Sequence, residues 1–71
     1  MVVIGERVRQ HRQERGLTQQ ALAVAAGCST PTIERLEAGR VPKLAILSRV
    51  ADALDVPLAV LVATPDRERA L

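Results

Sequence analysis

Glycines at positions 16, 27 and 39 punctuate the stretch before residue 40, and each follows a run whose apolar residues recur at helical offsets. Glycine relaxes into a left-handed turn that a side chain resists, which makes it a common stop for a helix. The chain before residue 40 is therefore restricted to short helices. Between the first and last of these stops lies TQQALAVAAGCSTPTIERLEAG, Thr18–Gly39, which reads as two short helices joined by a tight turn at Gly27. The flanking segments read as the scaffold for that pair.

The first segment carries Ile4, Val8 and His11 at helical offsets, with Arg and Gln on its other faces. Gly16 ends it and Leu17 drops toward the core. Thr18 is placed to cap the second helix, although Ala21 stands where the Glu of a full capping box would reach back. Leu22, Ala23 and Ala26 form the expected buried face of that helix. Ser29 is placed to cap the third helix, and Pro31 falls in its first turn, where a missing N–H has no intrahelical role. Ile33 and Leu36 share one face before Gly39. After a short connection containing Pro42, a fourth helix over Lys43–Leu54 sets Leu44, Leu47, Val50, Ala51 and Leu54 on one stripe. Asp55 is a less comfortable stop than Gly. The run LAVLVA after Pro57 fits a strand or a helix on its own; with four helices before it and no partner strand, it is assigned as a helix. The expectation is an all-α domain of five helices over residues 4–62, with a short tail at 63–71.

Composition narrows the class of function. The chain has 71 residues and no aromatic residue, so its core is built from Leu, Val, Ile and Ala near the size limit for a self-sufficient fold. Dimerisation would widen that margin. A lone Cys28 excludes an internal disulfide and makes no metal-ligand set with His11, so neither a metal nor a cofactor is expected. No signal peptide or membrane span is legible, and the expected location is cytoplasmic. No acid, base and nucleophile converge, which argues against an enzyme. The net charge of +2 permits an anionic partner without requiring one.

A helix-turn-helix needs a short second helix, a turn residue free to adopt unusual angles, and small or aliphatic inner faces. Residues 18–38 meet all three. Thr30, Pro31, Thr32, Glu34 and Arg35 remain on the outer side of the third helix, which is the side that meets base edges when such a helix lies in the major groove. The ordered features Gly16-Leu17-Thr18-Gln19, Leu22-Ala23, Ala26-Gly27, Ile33, Leu36-Glu37 and Gly39, then Pro42, Leu44, Leu47, Ala51 and Leu54, resemble the Cro/C1-type helix-turn-helix family of phage repressors and bacterial regulators. The resemblance covers residues 4–62 and implies a compact, lambda-repressor-like domain that binds double-stranded DNA to regulate transcription.

Position by position, the resemblance implies base contacts from Thr30, Pro31, Thr32 and Arg35. It implies phosphate contacts from Gln19, Ser29, Arg40 and Lys43. Arg12 and Glu37 match a partly buried salt bridge between the first and third helices. Pro31 departs from the family pattern and offers no hydrogen bond, which leaves Arg35, with a fork that suits guanine O6 and N7, as the principal reader. His11 stands where an aliphatic residue is usual, and Val24, Ile46 and Val60 where polar ones are. Ile46, Val60 and Val62, extended by Val2 and Val3, are expected to form a homodimer patch that pairs two recognition helices on a near-palindrome. The alternatives are an antitoxin or controller protein of the same fold with a protein partner, and a protein-interaction module.

Overall fold

A computed structural model describes residues 4–62. Five helices follow one another: α1 (Ile4–Glu14), α2 (Gln19–Ala26), α3 (Thr30–Glu37), α4 (Leu44–Ala53) and α5 (Leu58–Val62). No strand occurs among the described residues, and LAVLV is helical. The tail at 63–71 and the patch candidates Val2 and Val3 lie outside the described residues.

Helix starts and stops follow local chemistry. Thr18 Oγ1 accepts a hydrogen bond from the Ala21 N–H at 3.0 Å, and Ser29 Oγ one from the Thr32 N–H at 3.3 Å. Four stops share one form: a residue with positive φ (Gly16, Gly27, Gly39, Asp55), followed by a residue whose N–H returns to the carbonyl five positions back. Those bonds run from Leu17 to Arg12, Cys28 to Ala23, Arg40 to Arg35 and Val56 to Ala51, at 2.9–3.1 Å. Leu17, Cys28 and Val56 then fold back onto the core, while Arg40 stays exposed. Asp55 holds φ 59° as the one non-glycine among them, a conformation that Asp tolerates better than most residues.

The core is aliphatic: Val8, Leu22, Ala23, Ala26, Ile33, Leu36, Leu47, Val50, Ala51, Leu54 and Leu61 are buried. Every helix contributes, with α2 packed on both α3 and α4, and α1 on α3 and α5. One sequence expectation fails here. Leu44 is 66% exposed and is no part of the core stripe, which begins at Leu47. Side chains tilt toward the N-terminus of their helix, so a residue at the first position of α4 projects past the end of the packed region.

Two contacts fix α3 against α1. Gly5 is buried in the first turn of α1, and a Cβ there would collide with the Leu36 carbonyl oxygen and lie 3.2 Å from the carbonyl carbon of Glu37. The backbones meet where only glycine fits. Further along, Arg12 Nε donates to Glu37 Oε2 at 2.6 Å and Nη2 to Oε1 at 3.0 Å, with side chains 12% and 5% exposed. Arg12 Nη1 also donates to the Leu17 carbonyl at 2.8 Å, tying the α1–α2 turn into the same knot. On the opposite side, Arg7 Nη1 donates to the Val60 carbonyl at 2.8 Å and holds α5 to α1.

The hydrogen bond from Arg12 to Glu37 raises the Arg12 pKa above its ordinary value. A raised arginine pKa contributes stability that is complete below the unfolded-state value and lost only as pH climbs through the folded-state one. On the arginine side, the pair is therefore insensitive to pH until strongly alkaline solution. Removing the carboxylate is different, because it leaves a largely buried guanidinium without its counter-charge. Glu37→Ala is expected to lower unfolding free energy by about 3 kcal/mol. Urea denaturation checks this, and a loss below about 1 kcal/mol would mean the pair is merely a surface contact.

Candidate nucleic-acid interface

The outward face of α3 follows from what its inward face must bury. Ile33 and Leu36 are fully buried, so residues offset from them by about half a turn face solvent. Pro31, Glu34 and Arg35 are exposed, and Thr30 and Thr32 are half-buried at the edges of that face. Ser29 caps the helix, and its hydroxyl lies 2.9 Å from that of Thr32. That bond uses one hydrogen-bonding site of each hydroxyl, and Thr32 carries a methyl group beside it. Pro31 presents only ring carbons.

Gln19 is the first residue of α2, and its Nε2 donates to Glu37 Oε1 at 3.1 Å. Glu37 thus accepts from α1 and α2 together, and the side-chain oxygen of Gln19 takes no hydrogen bond among the described residues. Beside this knot Arg9, Gln13, Gln19 and Glu34 line an open polar cleft. Arg9 and Gln13 join the surface from α1 through their i, i+4 spacing, a signal present in the sequence but not distinctive there.

At the other end of α3 the chain turns through exposed Gly39, Arg40 and Val41, then half-buried Pro42, to exposed Lys43. Lys43 precedes α4 without a side-chain cap. Thr32, Arg35, Arg40, Val41 and Pro42 enclose a recess of about 230 Å³. None of Arg35, Arg40 and Lys43 pairs with a carboxylate among the described residues, where the ion pairs are Arg12–Glu37 and a contact of 3.8 Å between His11 Nδ1 and Glu14. Val41 belongs to this surface although nothing in its residue type singled it out.

The patch residues lie elsewhere. Val60 and Val62 on α5 are each 38% exposed, whereas Ile46 is half-buried and packed against the core, leaving little of it for a partner. Val24, at 76%, stands alone on the outer side of α2. No described helix is long and apolar enough to cross a membrane.

Comparison with known proteins places this geometry. A family model described as a helix-turn-helix domain matches residues 3–64. The chain is 42% identical over 59 residues to the HTH-type transcriptional repressor RghR of Bacillus subtilis, covering 80% of this chain and 44% of that protein. It thus spans less than half the length of that relative. Among solved structures, the restriction-modification controller protein C.AhdI from Aeromonas hydrophila superposes with a TM-score of 0.80 at 33% identity, covering 84% of this chain and 92% of the other. SinR, a master regulator for biofilm formation solved in complex with DNA, superposes with a TM-score of 0.77 at 32% identity, covering 82% and 95%. Matched along nearly its whole length in sequence and in fold, the chain belongs to the Cro/C1-type helix-turn-helix family.

Proposed function

We propose that this chain is a sequence-specific regulator of transcription that lays α3 in the major groove of double-stranded DNA. The observation that carries the reading is the set of free cations around α3: Arg35 on the helix, Arg40 and Lys43 just beyond it, all exposed and none paired among the described residues. Arg35 reads guanine, since its fork can reach O6 and N7 together. Thr30, Pro31 and Thr32 contribute shape and apolar contact at the start of the helix. Arg40, Lys43 and the second N–H of the Gln19 amide, whose other N–H donates to Glu37, fix the helix against phosphates, with Ser29 chiefly occupied in capping.

In this reading two copies join through α5, with Val60 and Val62 at the centre and Ile46 behind them. Two recognition helices then lie about one duplex turn apart, roughly 34 Å, and read a near-palindrome. The same apolar face supports the second reading, a controller or antitoxin that uses it for a different protein. Domain limits of 4–62 belong to the proposal as well, with α5 completing the unit.

Affinity for duplex should fall steeply with salt, as phosphate neutralisation releases counterions. Arg35→Ala should relax preference at one base pair with a loss of about 1–3 kcal/mol. Lys43→Ala should weaken all sequences alike and reduce the salt slope by about one. Fluorescence anisotropy on selected and scrambled duplexes separates these, and equal loss on both for Arg35→Ala would remove it as a base reader. Light scattering at tens of micromolar should give a dimer that Val60→Asp converts to monomer. A monomer at that concentration, with and without DNA, would count against the dimer.

A further inference from the structure

The turn that ends α3 departs from the other three of its kind. In such a turn the residue after the left-handed one lies beside the residue five positions earlier, and an apolar contact usually joins them. Cys28 and Val56 follow that rule with Ala23 and Ala51, and Leu17, whose partner is Arg12, still packs on the core. At the end of α3 both partners are arginines, Arg35 and Arg40, bound through the Arg40 N–H to Arg35 carbonyl bond of 2.9 Å. An exposed cation thus stands where an apolar residue usually closes the turn, and a local rule broken in this way points to a surface shaped by something other than packing.

The ligand has to satisfy more than charge. The recess that the two arginines share is also walled by Val41, which is 55% exposed, by Pro42, and by Thr32, whose hydroxyl makes one bond to that of Ser29. A bare anion would use the guanidinium groups and leave the apolar wall idle. The major-groove edge of a base step offers both kinds of group: acceptor atoms on guanine, and the 5-methyl group of an adjacent pyrimidine.

We propose that this recess reads the 5-methyl group of a pyrimidine neighbouring the guanine bound by Arg35, with Val41 as the specificity-determining residue. This rests on the DNA-binding reading above and deepens it. The methyl packs between Val41 and the Thr32 methyl while Arg40 holds the flanking phosphate. Thymine supplies that methyl in unmodified DNA, and 5-methylcytosine supplies the same group.

The test begins with a duplex selected from random sequence for binding to the whole chain. Each thymine is then replaced singly by deoxyuridine, which lacks only the methyl, and affinity is measured for the parent protein and for Val41→Ala. One thymine beside the Arg35-dependent guanine should weaken binding about fourfold when its methyl is removed, the value for one buried carbon. At the same position, 5-methylcytosine should bind more tightly than cytosine. Both differences should shrink below about twofold in Val41→Ala, whereas Val24→Ala, the same change at a more exposed valine on α2, should keep them. Specific binding that is indifferent to deoxyuridine at every thymine overturns the proposal, and so does a methyl effect that Val41→Ala leaves intact. Failure to bind any duplex specifically is a separate result, which would remove the DNA-binding reading and this proposal with it.

Discussion

Glu37 accepts hydrogen bonds from Arg12 Nε and Nη2 on α1 and from Gln19 Nε2 on α2, at 2.6, 3.0 and 3.1 Å. Its carboxylate lies at the last turn of α3, so three helices are joined through one side chain at the end of the reading element. A pair this shielded from water offsets its own desolvation best when further hydrogen bonds satisfy its lone pairs, and Gln19 supplies one beyond the two from Arg12. An aliphatic core alone would position α3 loosely, because Leu and Val contacts tolerate small slides. The charged knot supplies direction. Gly5 supplies distance, letting α1 approach the carbonyl of Leu36 closely enough for Arg12 to reach.

From that constraint the exposed surface follows. With Ile33, Leu36 and Glu37 turned inward, Pro31, Glu34 and Arg35 have no alternative but to face out. The turn after Gly39 then carries Arg40 and Val41 round to the same side as Arg35 and Thr32. Packing makes no demand on the residues of the outward face. Arginine in a place where the other three turns bury an apolar residue is the clearest sign of this.

Much of this was legible in the chain itself, because helix boundaries rest on local chemistry. Thr18, Ser29, Gly16, Gly27 and Gly39 act within a few residues of their own position, and the caps and stops fall where those residue types put them. The buried face of α2 and α3 was likewise readable from spacing. What escaped depends on contacts between distant segments. Gly5 looks like an indifferent glycine near a terminus until α3 is laid against it. Leu44 fits the periodicity of α4 and yet lies past the end of the packed region. Ile46 reads as an exposed departure and is half-buried. Arg7 reaches the Val60 carbonyl across most of the chain, a bond with no local signature. Val41 gains its place only once the loop is folded beside Arg35.

The central claim is that α3 and the turn after it form the surface that meets DNA. Amide chemical-shift perturbation on titration with a selected duplex tests it most directly. The account predicts that the largest shifts fall on Gln19, Thr30, Thr32, Glu34, Arg35, Arg40, Val41 and Lys43, with the buried half of α4 nearly unchanged. Shifts concentrated on α5 and the outer face of α2, with α3 silent, would contradict it.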